Sequence, residues 1–162
     1  MSRICVVPGT FDPVTRGHVD IIVRASALFD RVVVASLVNA AKRPVFTLEE
    51  RLDMLRRSTE TLGNVEVATF DGLTVAFCRQ IGACAIVKGL RAISDYDYEV
   101  QQASLNRHMA PEIETLFFAT DTRYSFLSSS VVREIGRLGG DIRAFVPAEV
   151  HEQIMARLQD SR

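Results

Sequence analysis

The sequence lacks several features that point to common classes of protein. Its three cysteines, Cys5, Cys78 and Cys84, show neither CxxC spacing nor a Cys/His pattern suited to a metal. Two of them lie in apolar runs typical of strands, so we expect all three to be buried, reduced thiols of a cytoplasmic protein. The motifs GxxxxGKS/T, GxSxG, HExxH and GxGxxG are all absent. The sequence therefore gives no support to a P-loop NTPase, an α/β-hydrolase, a zinc protease or a dinucleotide-dependent oxidoreductase.

A large net charge and long apolar runs are also missing. The 19 lysines and arginines nearly balance the 20 aspartates and glutamates, for a net charge of −1, so the chain has no overall basic field for nucleic acid. A small anionic ligand fits this balance better. No apolar run approaches the roughly 20 residues of a membrane span, and residues 1–3 are not followed by a signal-peptide core. We expect a single domain over residues 1–162 with neither a nucleic-acid nor a membrane partner.

Short β-branched runs alternate with segments of helical periodicity along the chain. The predicted strands cover residues 4–7, 31–38, 65–70, 83–87 and 115–119, and helices follow them. The first helical pattern extends to Leu28 and Phe29, and Leu48, Leu52 and Leu55 form the expected buried stripe of the second helix. This alternation predicts an α/β fold: a doubly wound, five-stranded parallel sheet with helices on both faces. Expected helix ends are a Thr47–Glu50 capping box, a cap at Ser94 or Asp95, and Pro147 as the first residue of a terminal helix with Val150, Ile154 and Leu158 inward.

The most informative stretch runs from Pro8 to His18, where an apolar strand breaks into a turn and then opens a helix. The first N–H groups of a helix have no partners within the helix and carry the positive end of its dipole. Gly9 and Gly17 allow a phosphate to approach the backbone closely, while Thr10 offers a hydroxyl and His18 an imidazole. The stretch therefore predicts an anion site, although a lone histidine in a first helical turn is more often a surface residue.

Other polar clusters follow the remaining strands. Lys42 follows the second strand, Lys88 and Arg91 the fourth, and Ser128–Ser130 the fifth. Each alone has a plain explanation, because loop cations are commonly solvated and serines commonly cap helices. In a doubly wound fold, however, all of these loops meet at the carboxyl edge of the sheet, where ligands bind. The coincidence favours one shared site for phosphate groups.

Two of these stretches resemble the end motifs of the nucleotidyltransferase superfamily. Thr15, Gly17 and His18 occupy the positions of its (H/T)xGH signature, and Ser128–Arg133 is similar to its (I/L)SS(S/T)xxR element. Segments between them, including residues 46–51, 87–91 and 97–99, resemble bacterial phosphopantetheine adenylyltransferases in order over nearly the whole chain. The resemblance implies transfer of AMP from ATP to 4′-phosphopantetheine by a Mg²⁺-dependent homohexamer. Alternatives are a transferase of the same fold that uses nicotinamide mononucleotide or glycerol 3-phosphate, and a non-catalytic nucleotide-sensing module.

The resemblance also assigns roles to individual residues. His18 is expected to stabilise the transition state, assisted by Lys42 and Arg91, and no protein ligand to the metal is implied. The expected ATP contacts are Thr10, Phe11, His18, Gly89, Leu90, Arg91, Glu99, Tyr124, Ser125, Phe126, Leu127, Ser128, Ser129 and Ser130. The expected contacts of 4′-phosphopantetheine are Thr10, Lys42, Thr74 and Lys88. Lys88 stands where arginine is frequent in the family and Tyr124 where tryptophan is frequent; lysine keeps the charge without the bidentate fork.

Overall fold

The computed structural model describes residues 2–38 and 43–160 of the chain, and these contain one sheet of five parallel strands. The strands are β1 (Ile4–Gly9), β2 (Arg31–Leu37), β3 (Val65–Phe70), β4 (Ala85–Leu90) and β5 (Glu114–Ala119). Their order in the sheet is β3-β2-β1-β4-β5. The winding reverses between β1 and β4, so the predicted doubly wound fold is confirmed.

Helices cover both faces of this sheet. They are α1 (Arg16–Ser26), α2 (Leu48–Thr59), α3 (Thr74–Ile81), α4 (Ile93–Met109), α5 (Ser129–Arg137) and α6 (His151–Asp160). On one face, Cys5 and Val7 of β1 pack in a core with residues of α1, α2, α5 and α6. On the other face, Val6 of β1 packs with residues of α3. The alternation along β1 follows from the two-residue period of a strand. In the described part of the chain, no helix has the length and apolar character needed to cross a membrane.

One helix end forms as the sequence predicts, and another does not. The Thr47–Glu50 capping box is present, with the Glu50 amide donating to Thr47 Oγ1 at 3.2 Å and the Thr47 amide to Glu50 Oε2 at 2.7 Å. Pro147 differs from the prediction: it is not the first residue of the terminal helix but caps a short 3₁₀ turn, Ala148–Val150, that leads into α6. Val150, Ile154 and Leu158 are fully buried, as predicted. The capping box was predictable because the residues that make it are close in sequence.

Other local predictions are wrong, because packing between elements decides them. β4 continues through Lys88, Gly89 and Leu90, since β5 pairs with it as far as Ala119. Helix α4 starts at Ile93 with Ala92 in the cap position, so positions 94 and 95, where the cap was predicted, lie inside the helix. Thus Lys88 and Gly89 belong to a strand end rather than to the loop that follows it.

Burial of four side chains also differs from the prediction. Helix α1 ends at Ser26, which leaves Leu28 exposed beyond it. On α2, Leu55 is buried, but Arg51 and Met54 occupy the inner face where Leu48 and Leu52 were expected. Cys84 is exposed because it precedes β4, whereas Cys5 and Cys78 are buried. Burial raises the pKa of both buried thiols to about 12, so they are inert at neutral pH.

The two central strands separate at their carboxyl ends. β1 pairs with β4 through Cys5–Ala85 and Val6–Ile86, and pairing stops there although the strands continue to Gly9 and Leu90. On its other side, β1 pairs with β2 along its whole length, from Ile4–Arg31 to Gly9–Ser36. Pro8 lacks an N–H and could not donate across the gap in any case. The gap is the crevice in which ligands bind in this class of fold.

Candidate active site

A cavity of about 160 Å³ opens in the gap between β1 and β4. It is bounded by the ends of both strands and by the first turn of α1. Its lining residues are Val7, Pro8, Gly9, Phe11, Thr15, Gly17, His18, Ile21, Val87, Lys88, Gly89, Arg91, Thr120 and Leu127. Histidine, lysine and arginine are therefore brought together over an apolar floor, and the lining residues that the structure describes include no carboxylate. This central cavity suits an anion that carries an apolar or aromatic group.

The His18 ring is fixed at the start of α1 by Thr15. The Thr15 backbone amide donates to His18 Nδ1 at 3.0 Å, and the His18 amide donates to Thr15 Oγ1 at 3.3 Å. The pair forms a capping box in which histidine takes the place usually held by Glu or Gln. Because Nδ1 accepts a hydrogen bond, the proton of the neutral ring resides on Nε2. The site therefore holds a neutral imidazole that is ready to donate.

The surroundings of His18 keep the ring uncharged. Burial, with a smaller contribution from the Arg91 guanidinium, lowers the pKa of His18 to about 4. The Phe11 ring meets the imidazole edge-on at a centroid distance of 5.0 Å. Phe11 has a positive φ of 51°, and its ring lies so close to Gly9 that a Cβ there would sit 2.8 Å away. Glycine at position 9 is thus required by this aromatic contact.

The two cations of the central cavity have protein partners. Arg91 Nη1 donates to the Leu127 carbonyl at 2.7 Å, and its Nε lies 3.4 Å from the Asp95 carboxylate. Lys88 Nζ lies 2.5 Å from Glu99 Oε2. Glu99 therefore meets a lysine of the site, while its predicted contact with ATP stays a prediction. Both cations are held in place, and each keeps N–H donors for a ligand.

A second cavity, of about 200 Å³, lies on the other side of β1 and β4. Its floor is apolar, with Leu37, Phe70 and Ile86, and its rim is polar. The remaining lining residues are Pro8, Gly9, Thr10, Thr74, Lys88, Tyr98, Gln102 and Asn106. The structure thus brings together Thr10, Thr74 and Lys88, three of the four residues predicted for the acceptor. Lys42, the fourth, lies outside the described residues. Lys88 borders both cavities and could contact two ligands at once.

A third cavity, of about 370 Å³, lies at the start of α5. It is lined by Thr10, Asp12, Arg43, Pro44, Ser129, Ser130 and Arg133. Ser128 caps α5 and accepts from the Val131 amide at 3.2 Å. Ser129 Oγ donates to the Pro13 carbonyl at 2.7 Å, so its hydroxyl ties α5 to the loop after β1. The cavity joins a helix N-terminus to two arginines, an arrangement suited to phosphate.

The remaining predicted residues surround these cavities rather than line the central one. Tyr124 packs against Gly17, and Phe126 is exposed, with its ring edge-on to Phe145. Ser125 donates to the Thr122 carbonyl at 3.0 Å. Leu90 lies at the end of β4 and borders a shallow surface pocket with Arg91. The predicted ATP contacts of these four side chains stay predictions.

Sequence reasoning gave Arg51 and Thr120 no place at the site, and it placed Thr15 in the (H/T)xGH motif without a role. Thr15 orients His18, but the signal was hidden because a capping box is normally sought with Glu or Gln. Thr120 lines the central cavity, and its buried hydroxyl has no hydrogen-bond partner within residues 2–38 and 43–160. Arg51 is buried behind Thr10, at a position where helical periodicity gave no reason to expect a cation.

The described residues offer no site made for a metal ion. Among them, no group of three or more His, Cys, Asp or Glu side chains could hold one. Asp12, the carboxylate of the third cavity, accepts from the Val45 and Phe46 amides at 3.0 and 2.9 Å and pairs with Arg133. Its oxygens are occupied. A divalent ion at this site would therefore be held through ligand phosphates and water.

Known proteins are similar to this chain in sequence and in fold. The family model described as cytidylyltransferase-like matches residues 6–135. A phosphopantetheine adenylyltransferase from Caldanaerobacter subterraneus subsp. tengcongensis is 47% identical over 159 residues, which cover 98% of this chain and 99% of that protein. A solved structure from Vibrio parahaemolyticus, assigned as a nicotinate-nucleotide adenylyltransferase, matches with a TM-score of 0.72 at 19% identity. It covers 98% of this chain and 95% of its own, and it shows that the fold is shared. The chain belongs to the phosphopantetheine adenylyltransferases, within the cytidylyltransferase-like family of nucleotidyltransferases.

Proposed function

We propose that this chain transfers AMP from ATP to 4′-phosphopantetheine, giving dephospho-CoA and pyrophosphate in coenzyme A biosynthesis. The observation that carries the proposal is the neutral His18 ring, with its proton on Nε2, in a cavity lined by Lys88 and Arg91. A fixed donor among cations is what a transferring phosphoryl group requires. The choice of acceptor is supported by the 47% identical relative, whose name specifies phosphopantetheine.

The reaction is proposed as a direct in-line displacement. An oxygen of the acceptor phosphate forms a bond to the α-phosphorus of ATP, and the bond from that phosphorus to the bridging oxygen breaks, releasing pyrophosphate. The nucleophile is already an anion, so no side chain needs to remove a proton. The protein therefore acts by positioning the two phosphates and by stabilising charge on the α-phosphoryl oxygens.

The residues predicted to hold phosphate groups have separate parts in this scheme. His18 Nε2–H donates to the α-phosphoryl group, and Arg91 with the start of α5 at Ser129 holds the β- and γ-phosphates. Thr10 and Lys42 hold the acceptor phosphate, as the family resemblance implies. Lys88 borders both cavities, so it is suited to contact both reacting phosphates. Its ammonium adds charge at the point where the two substrates meet.

Magnesium is proposed to enter as part of MgATP. The lining of the central cavity offers cations and no carboxylate, and Asp12 is occupied by other partners. This donor set fits an ion that is carried by substrate phosphates rather than one resident in the protein. When bound, the ion neutralises phosphate charge.

A homohexamer and a cytoplasmic location complete the proposal. The helix α4 has no buried residue among those described, and Tyr98, Leu105 and Met109 are exposed on the same side of it. An apolar face of this kind on a 17-residue helix supports burial between copies of the chain.

The direct test is pyrophosphate release from ATP with 4′-phosphopantetheine, run beside ATP with nicotinamide mononucleotide and CTP with glycerol 3-phosphate. Release with 4′-phosphopantetheine alone is the expected result. Release only with another acceptor would contradict the proposed substrate, and ATP binding without any release would favour a nucleotide sensor. Replacing His18→Ala should lower kcat by roughly 10²–10³ through loss of a fixed donor. The matched variant His151→Ala, at the start of α6, should leave kcat unchanged.

A further inference from the structure

Arg51 is a buried cation directly beneath the loop that joins β1 to α1. Its side chain projects from the inner face of α2, and the residue is only 5% exposed. Nη1 donates to the Thr10 carbonyl at 2.7 Å and to Ser36 Oγ at 3.0 Å. Ser36, fully buried on β2, also donates to the Thr10 carbonyl, at 3.5 Å. A single carbonyl oxygen therefore receives two hydrogen bonds from beneath the site.

Stability alone does not account for a guanidinium at this position. In the parts of the chain that the structure describes, Arg51 has no carboxylate within ion-pairing distance, and its buried Nε has no hydrogen-bond partner. Burial lowers the pKa of Arg51, and the Asp12 carboxylate opposes this effect from farther away. A buried charge without a paired counter-ion is unfavourable, and apolar replacements of buried ionic groups are often neutral or stabilising. The neighbours of Arg51 on the same helix face are Met54 and Leu55, so an apolar side chain would suit the core.

The carbonyl that Arg51 binds belongs to the peptide at the centre of the site. Thr10 borders the second and third cavities, and Gly9 and Phe11 on either side of it border the central one. In a planar trans peptide, the C=O of one residue and the N–H of the next point in opposite directions. Because the Thr10 carbonyl points down to Arg51, the Phe11 N–H points away from it. The positive φ of Phe11 shows that this backbone is held in an uncommon conformation.

We propose that Arg51 is a positioning residue for adenylyl transfer: its buried guanidinium fixes the Thr10–Phe11 peptide so that the Phe11 N–H and the Thr10 hydroxyl face the reacting phosphates. Arg51 itself touches neither substrate. It acts through Thr10. The Thr10 carbonyl accepts a hydrogen bond from Arg51 and a second one from Ser36, which itself accepts from Arg51. The inference rests on the proposed function, because the phosphates it serves are those of ATP and the acceptor.

The test compares Arg51→Met with Arg51→Lys and with Arg56→Met, a matched control on the exposed face of the same helix. Methionine fills a similar volume, removes the charge and makes no bond to Thr10. We expect R51M to lower kcat by about 10²-fold, because the peptide is free to rotate, while the melting temperature stays the same or rises. R51K keeps a buried donor and should fall between R51M and wild type. R56M should match wild type in both measurements.

These variants distinguish a purely structural role of Arg51 from a positioning role. A purely structural Arg51 would lose kcat in step with the melting temperature and with the fraction of protein that binds ATP, and this result would overturn the proposal. So would a kcat for R51M within a few-fold of wild type. If R51M does not fold, Ser36→Ala and R51K decide, because each weakens support of the same carbonyl; unchanged kcat in both contradicts the proposal.

A crystal structure of R51M, or of R51K if R51M does not fold, gives a readout that does not depend on the acceptor. The expected result is a reoriented Thr10–Phe11 peptide, and an unchanged peptide would overturn the role of Arg51. If wild type releases no pyrophosphate with any acceptor, the proposed function fails, while the crystal structure still tests whether Arg51 sets this peptide.

Discussion

His18 combines a structural and a chemical role that depend on the same proton. Its Nδ1 accepts from the Thr15 amide, which caps α1, and this bond requires Nδ1 to be unprotonated. The same bond leaves Nε2 with the proton that the proposed mechanism uses. Protonation of Nδ1 would place two N–H groups face to face and break the cap. Lowering the pH therefore weakens the cap of α1 and changes the protonation of His18 in the site at the same time.

A pH dependence of stability follows from this arrangement. The pKa of His18 is about 4 in the native state, against an ordinary value of 6.5. Between these values the unfolded chain binds a proton that the native protein does not, so the free energy of unfolding falls as pH decreases from 6.5 to 4. His18→Gln removes this titration. We expect the melting temperature of H18Q to depend less steeply on pH in this window than that of wild type; parallel curves would contradict the pKa.

The Thr120 hydroxyl gives a second prediction at this scale. Its Oγ1 is buried in the wall of the central cavity and has no partner among the residues described. Thr120→Val keeps the shape and breaks no hydrogen bond within the protein. We expect unchanged or higher thermal stability, together with ATP binding weaker by about 1 kcal/mol, measured by calorimetry.

Thr115 supplies the matched control for this change. Its Oγ1 is also buried without a described partner, on β5 outside the lining of the central cavity. Thr115→Val should affect stability in the same direction and leave ATP binding unchanged. Equal ATP affinity in T120V and wild type would show that the Thr120 hydroxyl does not contact the nucleotide.

At the scale of elements, Asp12 joins three segments around the site. Its carboxylate accepts from the Val45 and Phe46 amides that precede α2, and it lies 3.5 Å from Arg133 Nη1 on α5. Arg133 also donates to the Asp12 carbonyl. The loop after β1 is thereby tied to the segment that leads into α2 and to α5, and residues of all three line the third cavity.

Removing this carboxylate should be costly for folding. We expect Asp12→Ala to lower the free energy of unfolding by about 3 kcal/mol, because it leaves two backbone amides without their acceptor and removes the carboxylate beside Arg133. Urea unfolding measures the effect. The comparison is Asp30→Ala, which breaks the exposed pair with Arg3 and should cost less than about 1 kcal/mol. Equal losses in the two variants would show that the Asp12 tie contributes no more than a surface ion pair.

The elements themselves were largely predictable from the sequence. β-Branched runs identified the strands, and local capping patterns identified the start of α2, because both signals lie within a few residues. The end of β4 was not predictable, since it depends on pairing with β5 through Leu90–Ala119. The same holds for Arg51, whose burial depends on a carbonyl 41 positions away in the sequence. Local patterns carry no information about such partners.

The candidate site was predictable to the same extent. Strand order placed Thr10, His18, Lys88 and Arg91 at one sheet edge, and the structure brings them to adjoining cavities. Sequence reasoning placed Thr15 in the (H/T)xGH motif without its role in orienting His18, and it missed Arg51 and Thr120. Their roles come from a hydrogen bond to a ring nitrogen, a buried contact with a carbonyl, and a hydroxyl left without a partner.

For the whole molecule, the exposed face of α4 predicts assembly. We expect the native mass to be six times the 18.0 kDa of the chain, measured by light scattering after gel filtration. Replacing Leu105 and Met109, which are 50% and 39% exposed, by glutamate should shift the mass to smaller species, because charge would be buried between copies. Leu138→Glu, at the more exposed C-cap of α5, should not. Dissociation by L138E alone would place the interface elsewhere.

The short pairing between β1 and β4 has a mechanical consequence. It divides the sheet into a half with β3, β2 and β1 and a half with β4 and β5, which are joined in the ladder by Cys5–Ala85 and Val6–Ile86. A nucleotide in the central cavity would touch both halves and hold them together at the seam, the boundary where β1 and β4 no longer pair. Backbone amides beside the seam should then exchange with deuterium more slowly as ATP is added, so isotope exchange would report how much of the protein is loaded.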